Sequence, residues 1–230
     1  MIDAVPAAER WAIVELLEVG QLRFAEITHD VGTSYRYVDF PIDAVLSVVI
    51  TLANGDTCEV MAIGREGASG MEAAGGGTVQ RTTFCQVPGR SARMPNAAFM
   101  RTLRQSPAFE RLARRNAEAR RFSIEQSCAC NAVHTVKQRC ARWLLMTHDR
   151  VGRDTFPLTQ NFLSIMLGVR RPSVTAAAEA LHAQGAIRYH RGIVVIEDRA
   201  SLEAASCECY AVTAKAYEGA LRPEASSSAG

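Results

Sequence analysis

Between Ala44 and Leu52 the chain reads AVLSVVITL, a β-branched apolar run, and after NGDT it returns as CEVMAI. This is the pattern of two strands joined at an Asn-Gly hairpin turn. Further strands are expected in RTTFCQV and SARMP, separated at Pro88-Gly89. From about Val31 to Pro95 the pattern is therefore one of short strands and Gly-rich turns, which predicts a sandwich or barrel-like roll. A helical pattern over Ala7 to Val19 is expected to cap it.

From Ala97 to about His148 the rhythm changes. Ala, Glu, Arg, Gln and Leu dominate and no proline follows Pro107 within this stretch, so one long helix or two joined end to end are expected. Phe109, Leu112, Asn116, Ala119, Ser123, Gln126, Cys130 and Val133 alternate by three and four, the spacing of a helix seam. Two readings stand side by side: a helix lying on its own sensor domain, or a helix that pairs with a second copy. From Thr135 to about Tyr217 the pattern gives several short helices and a hairpin, AIRYHRGIVVIED, turning at Arg191-Gly192. The end, RPEASSSAG, is small and polar, and residues 218–230 are expected to be a disordered tail. The fold class is α+β, divided as 1–106 roll, 107–134 long helix, and 135–217 C-terminal domain.

Within that last domain, LTQNFLSIMLGVRRPSVTAAAEAL carries a specific pattern. Thr159 is placed to cap a helix over Gln160 to Leu167, whose apolar face is Phe162, Leu163, Met166 and Leu167. Gly168 can take the left-handed conformation that ends it. Val169 fills the angle between this helix and the next, and Pro172 sits where a first turn needs no amide donor. Val174, Ala177, Ala178 and Leu181 then face inward. Arg170, Arg171, Ser173 and Thr175 are left at the open N-terminal end of the second helix. In a helix-turn-helix that end enters the DNA major groove, where arginine forks onto guanine, while hydroxyls and first-turn amides suit phosphate. The hairpin that follows, with Arg188, His190 and Arg191, fits a wing on the flanking backbone. Thr159 and Gln160, at the start of the first helix, are expected to contact DNA as well.

A net charge of +2 does not by itself predict a polyanion partner, so the nucleic-acid reading rests on this local cluster. The first twenty residues lack the pattern of a signal peptide, no apolar run is long enough to cross a bilayer, and seven cysteines show no disulfide framework. A reduced, cytoplasmic protein without membrane contact is expected.

The stretch from Leu158 to Glu203 resembles the winged DNA-binding domain of the Crp/Fnr family of bacterial transcription regulators. The resemblance implies a cyclic-nucleotide-binding-like β-roll, a long dimerisation helix and a winged helix-turn-helix that binds an inverted repeat in double-stranded DNA as a homodimer, with RNA polymerase as an admitted further partner. It places Arg171 where a guanine-reading arginine sits and Ser173 where a phosphate-contacting hydroxyl does. Pro172 departs from the pattern, standing where well-known members carry a base-reading glutamate. In members that bind cyclic nucleotides, a Gly-Glu pair precedes Arg-Ser/Thr by about ten residues; here Gly70 is followed by Met71 in the glutamate slot, with Arg81-Thr82 at the matching distance. Glu72 lies one residue out, which on a strand would turn it away. Ile124-Glu125 falls where such members present hydroxyls to adenine. Either an anionic or hydrophobic effector other than cyclic AMP, held at Gly70, Met71, Arg81 and Thr82, or regulation by abundance alone is therefore expected.

No cofactor and no metal are expected. Iron–sulfur members carry an N-terminal cysteine cluster, and this chain has no cysteine before Cys58. Cys130 and His134 lie one helical turn apart as a metal pair, but Cys128 points elsewhere, and Cys207 and Cys209 could not both aim one way on a helix. Small buried cysteines are the expected account, with a redox-reporting Cys130–Cys130 contact across a dimer seam as the variant of it. GASGM is not the Gly-x-Ser-x-Gly elbow, and the scattered histidines have no partner spacing, so no enzyme is expected. The alternative function is a signal-sensing module whose helical domain grips a protein partner instead of DNA.

Overall fold

A computed structural model of the chain describes residues 1–222. A short 3-10 turn, Ile2–Ala4, precedes α1 (Ala7–Val14). Seven strands follow: β1 (Glu18–Leu22), β2 (Ile27–His29), β3 (Tyr37–Pro41), β4 (Val45–Thr51), β5 (Thr57–Ile63), β6 (Thr82–Val87) and β7 (Gly89–Pro95). They form two antiparallel sheets, ordered β1-β7-β3 and β2-β6-β4-β5, that together make the expected roll. The capping helix is shorter than its pattern suggested. It stops at Val14, and Glu18 and Val19 belong to β1, which starts well before Val31. The β4–β5 connection also differs from a two-residue turn. Thr51 pairs with Thr57, leaving five residues between, closed by Leu52 N donating to Asp56 O at 2.8 Å with Gly55 at φ +87°.

The unbroken apolar run of β4 has a structural cause. Leu46 and Val48 pack inside the roll with Met61, Ile63 and Cys85, whereas Val45 and Val49 face the C-terminal domain with Trp143, Leu144 and Leu163. A strand buried on both faces cannot alternate polar with apolar.

Helix α2 (Asn96–Gln105) leads into α3 (Pro107–Val133), which Ser106 caps by accepting from Phe109 N at 3.1 Å. α4 (Val136–Val151) starts after His134 with a capping box between Thr135 and Gln138. Beyond it lie β8 (Thr155–Pro157), α5 (Gln160–Leu167), α6 (Arg171–Ala183), β9 (Ile187–His190), β10 (Ile193–Ile196), α7 (Arg199–Ala205) and α8 (Cys209–Leu221). The α3 stripe is used inside the chain. Phe109 meets Phe99 and Phe40, Asn116 Nδ2 donates to Glu66 O at 2.7 Å, Ala119 packs on Tyr217 and Ala220, and Cys130 packs on Cys207 and Cys209. Cys130 thus faces α8 of its own chain, not a twin, and Val133 is 75 % exposed. The thiols of Cys207 and Cys209 both turn toward α3 because only Cys209 is helical; Cys207 lies in the connection ahead of α8. The expected tail is shortened as well: residues 218–221 complete α8, and residues 223–230 lie outside the described part.

The C-terminal domain is docked on the roll. Phe162 of α5 sits edge-on to Phe84 of β6 at 6.1 Å and to Phe24 at 5.8 Å between ring centres. Deeper in, Arg150 of α4 is buried and donates from Nε to Glu66 Oε1 at 2.8 Å and from Nη1 to Met146 O at 2.9 Å. The guanidinium stem passes so close to the roll that a Cβ on Gly64 would collide with Arg150 Cβ and Cγ.

A second buried charge sits inside the roll. Asp39 is 2 % exposed, exchanges both backbone hydrogen bonds with Ser69, and has His29 Nε2 at 3.4 Å and Arg93 Nε at 3.7 Å from its carboxylate oxygens. Burial pushes its carboxyl up to about 6, with Arg93 pulling it partly back. Burial likewise pushes His29 downward.

These interior charges make two expectations measurable. Glu66→Ala should cost about 3–5 kcal/mol in urea denaturation, because it strands a buried guanidinium, and a loss under about 1 kcal/mol would contradict the pairing. For Asp39 the folded pKa lies above the unfolded one of 3.8, so its stabilisation is complete below that pH and is lost as pH rises through about 6. Relative to Asp39→Asn, which needs no proton, the wild type should lose up to about 3 kcal/mol over that window. Parallel stability–pH curves for the two proteins would refute the assignment.

Candidate DNA-binding and effector sites

The helix-turn-helix is built as its sequence implies. Thr159 Oγ1 accepts from Phe162 N at 3.1 Å and caps α5. Gly168, at φ +61°, ends it in the left-handed region. Arg170 is the N-cap of α6, with Arg171 and Pro172 opening the helix, while Val174, Ala177, Ala178 and Leu181 are buried. Arg170, Arg171 and Ser173 are exposed at this first turn; Pro172 has no amide hydrogen and Ser173 N donates to Arg170 O at 3.0 Å, so it is the two guanidinium groups and the Ser173 hydroxyl that suit anionic oxygens there. Thr175 and Gln160 are half-buried and engaged with each other: Thr175 Oγ1 lies 2.9 Å from Gln160 Oε1 and 3.2 Å from Arg171 O. Their geometry ties the first turn of α5 to that of α6, so they position the open end of α6. Sequence reasoning missed Arg139. Its guanidinium reaches from α4 to Leu167 O and satisfies a carbonyl at the end of α5. The only signal for it was that carbonyl's need for a donor, which names no position.

The hairpin is a compact wing. Arg191 (φ +47°) and Gly192 (φ +77°) make the turn with two left-handed residues, as a two-residue type I′ hairpin requires. His190 and Arg191 stand exposed at the tip. Arg188 is also exposed, but pairs with Glu197 at 2.8 Å across the wing. The wing is fixed to the reading helices by Leu158 N donating to Gly192 O at 2.7 Å and by Tyr189 OH donating to Leu158 O.

The effector region departs from the sequence reading at one residue. Met71–Gly75 is a 3-10 turn rather than a strand, so Glu72 is not turned away. Its carboxylate takes Arg120 Nη2 at 2.5 Å and lies 3.7 Å from Arg81 Nη2. Burial raises the Glu72 pKa, but the two arginines outweigh it and hold the group below its ordinary range. Gly70 turns the chain at φ +89°, where a Cβ would meet Tyr37 O at 2.7 Å. Met71, Glu72, Arg81, Arg120 and Ile124 line a pocket of about 420 Å³ between the roll and α3, floored by Ile50, Val60 and Met61. Thr82 is not among its walls; its Oγ1 lies 3.4 Å from Asp30 Oδ1. Arg120 also donates to Ala68 O at 3.1 Å, so one buried side chain of α3 holds both the loop and the carboxylate. Glu125 is ion-paired with Arg121 on the surface of α3.

No helix among the described residues is long and apolar enough to cross a membrane. The family described as Crp-like helix-turn-helix domain matches residues 138–205. No curated protein sequence matches the chain. Solved structures are similar over most of its length. FixK2 from Bradyrhizobium japonicum superposes with a TM-score of 0.71 at 15% identity, covering 83% of this chain and 98% of that one. A CRP-family transcriptional regulator from Thermus thermophilus gives 0.65 at 19% identity, covering 81% and 96%. The global regulator CLP from Xanthomonas campestris gives 0.65 at 12%, covering 84% and 100%. Residues 138–205 thus belong to the Crp-like helix-turn-helix domains, and the chain carrying them has the fold of the Crp/Fnr family of transcription regulators.

Proposed function

We propose that the protein is a cytoplasmic transcription regulator that reads an inverted repeat in duplex DNA as a homodimer, and that a ligand other than cyclic AMP acts through the pocket beside Glu72. The observation that carries the DNA reading is the exposed end of α6, where the side chains of Arg170, Arg171 and Ser173 stand together beside a wing tipped by His190 and Arg191. One such end reads only a few base pairs, so two must act together on a genomic site. Because the Phe109–Cys130 stripe of α3 is taken by the chain itself, pairing falls to the other face. There Ala117, Arg121, Ile124 and Cys128 repeat at helix-seam spacing and remain at least partly accessible.

For the ligand, the polar end of the pocket favours one anionic group. Two arginines face one carboxylate there, and Ile124, Met71 and Met61 favour an apolar body. Cyclic AMP fits poorly. Its phosphate would compete with Glu72 for Arg81, and Ile124 and Glu125 offer adenine no hydroxyl.

Two measurements test this reading. In fluorescence anisotropy on a selected operator, Arg171→Ala should cost about 1–3 kcal/mol and relax base preference at one position, whereas Arg170→Ala and Ser173→Ala should weaken all duplexes alike. Two chains should bind per operator, and affinity should fall steeply with salt. An unchanged Arg171→Ala affinity, or a monomer in sedimentation both free and on DNA, would sink it. In calorimetry, cyclic AMP should bind weakly or not at all, and Met71→Glu should strengthen it by about one to two decades. Micromolar binding to the wild type with a matching gain in DNA affinity would overturn the ligand assignment. Cyclic di-GMP, to which the Xanthomonas regulator responds, belongs in the same titration.

A further inference from the structure

The sequence reading allowed at most two converging metal ligands, and the structure brings four together. Cys130 and His134 sit on and just after the last turn of α3. Cys207 lies in the connection before α8, and Cys209 is that helix's first residue. One ligand atom from each, three thiol sulfurs and an imidazole nitrogen, lies within 4.8 Å of every other. Cys130 Sγ is 3.5 Å from Cys207 Sγ, and Cys209 Sγ is 3.6 Å from His134 Nδ1. A tetrahedral zinc site with Zn–S of about 2.3 Å and Zn–N of about 2.0 Å has edges of about 3.8 Å between sulfurs and about 3.5 Å between sulfur and nitrogen. These two pairs lie within about 0.3 Å of those edges, and the remaining pairs, at no more than 4.8 Å, need to close by at most about 1 Å.

We propose that Cys130, His134, Cys207 and Cys209 hold one zinc ion, in a closed Cys3His site that clips the end of α3 to the start of α8. This assignment is independent of the DNA reading above.

The surroundings are those of a ligand set rather than of cysteines filling space. His134 Nε2 lies 3.3 Å from Glu208 Oε2, so the ring can donate its Nε2–H to the carboxylate and turn a bare Nδ1 toward the sulfurs. This is the arrangement that orients metal-binding histidines. Gln126 Nε2 donates to Cys209 Sγ at 3.1 Å, a contact that a metal-bound sulfur would strengthen. The positive charge of buried Arg142 acts on Cys130 and offsets part of the charge that three thiolates would carry beyond the two of zinc. All three cysteines are at most 4 % exposed. Four protein ligands leave no open position for water, which marks a structural ion rather than a catalytic one. The tight spacing also fits a single ion. An iron–sulfur cluster must place bridging sulfides between its thiolates and spreads them further apart.

The position gives the ion its role. His134 is the break between α3 and α4, the hinge at which the long helix hands over to the DNA-binding domain. The Cys207–Cys209 pair anchors α8 along the α3 stripe. A bound ion would therefore fix the hinge and α8 as one body.

The full-length protein, produced with zinc in the medium and purified under reducing conditions, should carry about one zinc per chain by mass spectrometry of its metals. Cys128→Ser, which changes an exposed thiol on the same helix, should keep that content; Cys207→Ser and Cys209→Ser should lose most of it. Because those variants could fail to fold, the wild type should also be stripped with a chelator and reloaded with cobalt. The expected result is the intense visible and thiolate charge-transfer absorption of a tetrahedral, sulfur-rich site, together with reversible loss and recovery of thermal stability. Four outcomes would overturn the proposal. They are folded wild type that takes up no zinc or cobalt, Cys207→Ser that keeps its zinc, iron recovered with acid-labile sulfide, or a Cys130–Cys207 disulfide in the reduced preparation.

Discussion

Glu59 on β5 and Glu66 just after it are carboxylates placed in the interior against α4, and α4 brings each of them a donor that the roll alone does not supply. Glu59 takes Ser47 Oγ at 2.5 Å and Trp143 Nε1 at 2.9 Å, while Glu66 takes Arg150 Nε at 2.8 Å. Burial pushes the Glu59 carboxyl up. Buried polar groups of this kind are costly when unmatched, so roll and helix have few alternative ways to meet. The rest follows from where α4 is held. Its Arg139 closes the end of α5, α5 orients α6 through Gln160 and Thr175, and Leu158 carries the wing. The position of the open end of α6 is set by charges far from it.

That chain of dependence explains what could be read from the sequence. The helix-turn-helix was legible because its determinants are local: Thr159 caps, Gly168 turns and Pro172 opens, each within a residue or two of the feature it makes. β1 was not, since four of its five residues are exposed and it presents no apolar alternation. Glu72 was misjudged because its direction depends on a 3-10 turn after Gly70, and a spacing argument had to assume a strand. Arg120, Arg139 and Arg150 act across 28 to 84 residues of chain, and nothing beside them in sequence marks them as different from surface arginines. The four-ligand cluster was missed for the same reason, since Cys130 and Cys207 stand 77 residues apart.

The α3 helix shows how one pattern can serve two masters. Its three-and-four stripe predicted a seam without saying what lay on the other side. The polar members fit an intramolecular seam: Asn116 finds Glu66 O, and Ser127, just off the stripe, takes Arg142 at 3.0 Å. Polar groups in a buried stripe specify their partner, because any other arrangement leaves them unpaired.

Phe162 carries a further consequence. The roll grips the C-terminal domain by this ring, between Phe24 and Phe84, on the first helix of the motif, and leaves Arg170, Arg171 and Ser173 on the second untouched. Docking on the roll and the open end of α6 therefore draw on separate residues of the same small motif. On the function proposed above, a lineage could over evolutionary time exchange the ligand of the roll, or the DNA sequence read by α6, without rebuilding the joint between them.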